Sequence, residues 1–126
     1  MQLIHAGLTS RSEAAADRFF RGVLGLEQTR RSALPAQLAE PLFGVHEDCE
    51  ILYYGGGNLL LEVFVTGPRE RTAGKIDHLC IEVADRDALL QRCAAEGVAV
   101  RKVAKGEGVV VFIEDGDGNL FEVKQR

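Results

Sequence analysis

Cysteine is scarce in this chain, and basic charge has no surplus. The 126 residues include three cysteines, Cys49, Cys80 and Cys93, an odd number without C-x-x-C spacing. That excludes a disulfide framework and a zinc ribbon. Fifteen Lys and Arg against nineteen Asp and Glu leave a net charge of −4, so a nucleic-acid partner has no electrostatic support. Long apolar runs are missing too. The longest is Val109–Ile113, where a membrane helix needs about 20 residues. The opening Met1-Gln2-Leu3-Ile4-His5 lacks the charged and apolar regions of a signal peptide, and the expectation is a cytoplasmic protein without a membrane role. What remains is an ordinary globular mix, 46% hydrophobic and 27% charged, of a length that suits one domain.

The most informative feature present is an internal repeat. The first half opens with a short strand, Gln2 to Leu8, containing His5. A helix follows, capped by Ser10 or Ser12, with apolar positions Ala16, Phe19, Phe20, Val23 and Leu24 at helical intervals and Gly25 as its stop. Glu50 to Tyr54 and Leu59 to Val65 read as a hairpin across Gly55-Gly56-Gly57-Asn58. The second half runs the same way. Ile76 to Val83 is a strand carrying His78, and Asp85 caps a helix with apolar face Leu89, Leu90, Cys93 and Ala94, ended by Gly97. Val98 to Val103 is a strand, and Val109 to Glu114 and Leu120 to Lys124 form a hairpin across Asp115-Gly116-Asp117-Gly118-Asn119. The expected modules are about 1–66 and 75–126, joined by a breaker-rich linker at 67–74.

His5 and Glu62 stand 57 positions apart, His78 and Glu122 only 44, which leaves 13 extra residues in the first half. They are expected within Arg31 to Asp48, a segment with Pro35, Pro41 and an apolar trio at Leu38, Leu42 and Phe43. This insertion reads either as a broken helix packed on the sheet or as a lid over a cavity, the lid being preferred.

Side chains alternate across a strand. His5 and His78 in the first strands, and Glu62 and Glu122 in the last, therefore all lie opposite an apolar face that packs under a helix. Two imidazoles and two carboxylates converging on one concavity suit a divalent ion, Zn, Ni, Co, Mn or Fe. Without an ion, two buried carboxylates would be costly unless protonated or paired. Either Glu62 or Glu122 can also act as general base. Taken singly, each residue reads more simply: a strand histidine as a hydrogen-bonded structural group, a strand-end glutamate as a solvated one. Matching positions in two halves favour the metal site. One of Tyr53 and Tyr54 faces the site; Tyr53, Phe64, Cys80 and Phe43 are the candidate substrate contacts. Glu82 reads as a rim charge and His46 as a solvated residue. Gly55-Gly56-Gly57 is no phosphate loop, because neither Lys-Ser/Thr nor a helix follows it.

These residues resemble the vicinal oxygen chelate superfamily of glyoxalase I, bleomycin-resistance proteins, methylmalonyl-CoA epimerase, fosfomycin-resistance enzymes and extradiol dioxygenases. The resemblance rests on the His5 strand followed by Ala14-Ala15-Ala16-Asp17-Arg18-Phe19-Phe20 and Val23-Leu24-Gly25-Leu26. Asp77-His78-Leu79-Cys80-Ile81-Glu82-Val83 and Asp115-Gly116-Asp117-Gly118-Asn119-Leu120-Phe121-Glu122-Val123 carry the rest. It implies an α+β fold of two βαβββ modules forming a cupped mixed sheet, in a homodimer. The order His5, Glu62, His78, Glu122 is similar to that of glyoxalase I-like lyases and isomerases, which implies those four as ligands and a small vicinal-oxygen substrate. A basic residue close after the first His and an Asn after the first Glu, which hold glutathione in such enzymes, are absent from Ala6–Ser10 and Val63–Gly67. The alternatives are a non-catalytic antibiotic-binding protein and an extradiol-type dioxygenase.

Overall fold

The computed structural model describes residues 3–70, 74 and 76–126. Its contacts divide the chain into two compact units, Met1–Arg69 and Glu70–Arg126. Residues 71–73 of the expected linker, and Gln2 of the expected first strand, lie outside the described residues.

In the first unit, β1 (Ala6–Ser10) leads into α1 (Glu13–Ala16), then β2 (Glu27–Leu34), α2 (Ala36–Phe43), β3 (Cys49–Gly56) and β4 (Leu59–Val65). The second repeats the plan without the extra helix: β5 (Leu79–Val83), α3 (Arg86–Glu96), β6 (Ala99–Lys105), β7 (Gly108–Glu114) and β8 (Leu120–Gln125). The sheet orders correspond, β1-β4-β3-β2 and β5-β8-β7-β6. In each, the first strand runs parallel to the last and the remaining pairings are antiparallel. The fold is the expected α+β pair of modules, each built on a four-stranded mixed sheet.

The helical starts and stops are chemical. Ser12 accepts from the Ala15 N–H at 3.1 Å and Asp85 from the Ala88 N–H at 2.8 Å, so each first turn has its acceptor. Gly25 (φ 72°) and Gly97 (φ 67°) end the two segments in the left-handed region that a side chain disfavours. The first helix departs from expectation after one turn. Asp17–Val23 is π-helical, and the Leu24 N–H reaches back to the Phe19 carbonyl at 3.0 Å. The consecutive rings of Phe19 and Phe20 are both buried and pack edge to face at 5.2 Å. Phe20 stacks on Tyr54 at 5.1 Å, and with Leu52, Leu61 and Val63 they form the core of this unit. Burying each such side chain contributes roughly 1.5–3 kcal/mol. Leu89, Cys93, Val111, Ile113, Phe121 and Val123 are the buried set of the second unit.

Two expectations need correction. The strands that were to carry His5 and His78, expected from Gln2 and Ile76, begin only just after those histidines, because pairing with the last strands starts at Ala6↔Leu61 and Leu79↔Phe121. Arg31–Leu34, expected in the insertion, belong to β2 and pair with Leu52–Cys49. β2 escaped a hydrophobicity reading because it is an edge strand and mostly exposed, and polar side chains are the usual protection of such an edge. The extra chain is thus 35–48, where Gly106 and Glu107 alone separate β6 from β7. It contains the helix α2 despite Pro41. Its free N-terminal donor at Ala36 is taken by Asp48 Oδ1 at 2.7 Å, which ties the two ends of the segment together.

The β7–β8 hairpin is set by Asp115, whose buried carboxylate accepts from the Asp117 and Asn119 N–H groups at 2.9 Å and from Asn119 Nδ2 at 2.6 Å. Burial pushes its carboxyl above the ordinary range, and these donors work in the opposite direction.

Two outcomes are expected. Asp48→Ala removes the acceptor at the start of α2, costing about 0.5–2 kcal/mol locally; amide exchange should speed up across 36–43 and leave β3 and β4 unchanged. Tyr54 donates to Asp17 Oδ1 at 2.8 Å, and burial first, then this bond, raises its phenol above the ordinary value. The neutral phenol is favoured in the fold, so its contribution is complete below pH ~10 and declines as pH rises above that. Between pH 10 and 12, denaturant titration should show the wild type losing more stability than Tyr54→Phe.

Candidate functional site

Because β1 runs parallel to β4, Gly7 lies beside Glu62, and His5 just before the strand comes within reach of that carboxylate. His5 Nε2 is 3.5 Å from Glu62 Oε2. The second unit repeats this. Cys80 lies beside Glu122, and His78 Nε2 is 3.6 Å from Glu122 Oε2. The side chains of Glu62 and Glu122 are 17% and 23% exposed, so both carboxylates are largely withdrawn from water while their histidines remain accessible. In each sheet the alternate residues, Leu61 and Val63 or Phe121 and Val123, are buried on the opposite face. The predicted faces are the observed ones.

Two donors held about 2.1 Å from one ion stand roughly 3.0–3.4 Å apart, depending on coordination geometry. The two His–Glu spacings need to close by only a few tenths of an ångström, so each pair fits as half of a donor set. The donor chemistry, imidazole nitrogen with carboxylate oxygen, suits a borderline divalent ion. Among the described residues, no group of three or more His, Cys, Asp or Glu side chains stands together.

The neighbours of the two pairs also correspond. In the first sheet a row runs Gly7–Glu62–Tyr53–Arg30, and in the second Cys80–Glu122–Phe112–Arg101. Tyr53 therefore shares the face of Glu62, while Tyr54 packs under the helix. Tyr53 Oη is 3.0 Å from Ser32 Oγ, and the Arg30 guanidinium lies 4.1 Å above its ring. Phe64 is on the same face two residues from Glu62, and Phe43 of α2 packs against it at 5.8 Å. This contact puts α2 over the Glu62 face.

In the second sheet Phe112, which sequence reasoning missed, packs against the His78 ring at 5.2 Å. Its signal was the register of β7 on β8, which alternation alone does not supply. Cys80 is exposed, and burial first, then the nearby Glu122 charge, raises its thiol. Lys124 Nζ is 3.8 Å from Glu122 Oε1. Glu82 pairs with Arg126 Nε at 3.0 Å and His46 with Glu40 at 3.2 Å, both on the surface. A depression of about 540 Å³ lies elsewhere in the first unit, along the π-helical segment and lined by Asp17, Arg18, Arg21 and Glu27 among others. None of the expected ligands borders it.

Residues 4–112 match the Glyoxalase/Bleomycin resistance protein/Dioxygenase superfamily. The structure is similar to that of a glyoxalase family protein from Enterococcus faecalis, with a TM-score of 0.72 and 18% identity over 97% of this chain and 95% of that one. It is similar to the trypanothione-dependent glyoxalase I of Leishmania major, with a TM-score of 0.75 and 17% identity over 99% and 86%. It is also similar to a mutant of the fosfomycin resistance protein FosX from Listeria monocytogenes, solved with Mn(II) and dihydroxypropylphosphonic acid, with a TM-score of 0.71 and 16% identity over 98% and 88%. At such identities the likeness is one of fold. No sequence among the curated proteins matches the chain. No helix among the described residues is long and apolar enough to cross a membrane. By its family match over most of its length and by its fold, the chain belongs to the Glyoxalase/Bleomycin resistance protein/Dioxygenase superfamily.

Proposed function

We propose that the chain is a divalent-metal-dependent lyase or isomerase of the glyoxalase I type, acting on a small substrate with vicinal oxygens. The observation that carries this reading is the equivalence of the two pairs: Nε2 to Oε2 in both, at 3.5 and 3.6 Å, at corresponding places in two sheets of the same order. His5, Glu62, His78 and Glu122 would together hold the ion, of which Zn, Ni, Co, Mn and Fe all suit the donors. When bound, the ion supplies a Lewis acid that chelates two adjacent oxygens and stabilises negative charge growing on them.

The chain's own residues do the rest. Glu62 or Glu122 moves a proton at the carbon beside those oxygens, a role worth roughly 10²–10⁴-fold. Tyr53 borders Glu62 and Cys80 borders Glu122 through the strand register. Phe64 and Phe43 form an apolar wall on the Glu62 side. On this reading the protein works in the cytoplasm as a homodimer. The ligand set can be completed within one chain or between two copies.

The test is metal analysis of protein purified without chelator, followed by assays on glyoxal-type, acyl-CoA and catechol substrates before and after metal loading. One ion per chain is expected. His5→Ala and His78→Ala should each lower metal affinity at least tenfold, as expected when a ligand and its oriented neighbour are lost. Glu122→Gln or Glu62→Gln should cut turnover about 10²–10⁴-fold in metal-loaded protein. A protein that takes up no ion on addition would overturn the reading. So would small-molecule binding indifferent to chelator and to Glu122→Gln.

A further inference from the structure

Arg30 and Arg101 sit at corresponding places in the two units, with Arg31 next to Arg30 on the opposite face, and the three differ in what neutralises them. Arg31 reaches Glu13 and Glu50, the latter at 2.7 Å, on the helix face of its sheet. Arg101, at the end of the row through Glu122, pairs with Glu114. Arg30, at the end of the corresponding row through Glu62, pairs with no carboxylate among the described residues.

Arg30 owes its place to a β-bulge. Gln28 opposes Tyr54 and Arg30 opposes Tyr53, so Thr29 is the extra residue on β2. In a regular ladder Thr29 would face Tyr53, and Arg30 would turn to the helix side. A bulge commonly re-aims a side chain beside a functional site. Here it puts the guanidinium carbon 4.1 Å from the centre of the Tyr53 ring, while the Ser32 and Tyr53 hydroxyls share a hydrogen bond. A guanidinium over a ring, with no carboxylate partner among the described residues, can offer N–H groups to a planar, bidentate anion. Two strand spacings, about 10 Å, separate the Glu62 and Arg30 backbones. The Phe43–Phe64 contact supplies apolar surface on the same face.

We infer that Arg30 is an anion seat, and that the substrate carries a carboxylate or phosphate at the end remote from its vicinal oxygens. This rests on the metal-dependent reading, which supplies the other anchor. The substrate class is then an anionic molecule with an apolar middle, its vicinal oxygens at the His5–Glu62 end and its charge at Arg30.

Calorimetric titration of the zinc-loaded protein with benzohydroxamate, a neutral chelator with two adjacent oxygens, and with its 4-carboxymethyl derivative tests this. The wild type should bind the carboxymethyl compound about tenfold more tightly, the effect of one charge-assisted contact. Arg30→Gln should erase that preference without changing affinity for the neutral compound. Arg30→Lys should keep part of it, and Arg101→Gln all of it. Equal affinities in the wild type, or a preference that survives Arg30→Gln, would overturn the anion seat while leaving the metal site standing. Absence of zinc uptake with no binding of either compound would overturn the metal reading and this inference with it.

Discussion

The arrangement depends on one pairing, made twice: the first strand of each unit lies parallel to its last. Antiparallel neighbours can be joined by a tight turn, whereas parallel ones require the chain to cross over the sheet. The helix and two intervening strands of each unit are that crossing. The pairing brings a residue at the very start of the unit next to one near its end. A histidine ahead of the first strand thereby meets a glutamate in the last. Without this register, His5 and Glu62, or His78 and Glu122, would be remote along the chain and unrelated in space.

What the sequence made legible follows from alternation and repetition. Leu61 and Val63, like Phe121 and Val123, alternate with polar positions, so the buried face and the glutamate face could be separated before any coordinates. Ser12, Asp85, Gly25 and Gly97 mark helix ends by local chemistry and stand where expected. The rest is non-local. β2 has no apolar period, because an edge strand packs little against anything. The π-helical stretch has no signal in the apolar spacing, since Ala16, Phe19, Phe20, Val23 and Leu24 fit a regular 3.6-residue period. The tie from Asp48 to Ala36 joins the first residue of α2 to one beyond its end. Arg30 and Phe112 were missed for a related reason: their faces depend on register and, for Arg30, on a one-residue bulge.

The units correspond in plan but not in detail, and several differences lie on the glutamate faces. The first carries α2, with Phe43 against Phe64, and Arg30 beside Tyr53 without a carboxylate partner among the described residues. The second has no such helix among the described residues, has Cys80 where the first has Gly7, and has Lys124 beside Glu122 and Glu114 beside Arg101. The duplicated plan supplies two matched His–Glu pairs.

The central claim is that the two His–Glu pairs serve one ion. X-ray absorption spectroscopy of the zinc-loaded protein tests it most directly, because imidazole rings give distinctive outer-shell scattering. The account predicts two imidazoles per zinc, with the remaining donors oxygen and none sulfur, and a single imidazole per zinc in His5→Ala. One imidazole per zinc in the wild type, or sulfur from Cys80 in the coordination shell, would contradict it.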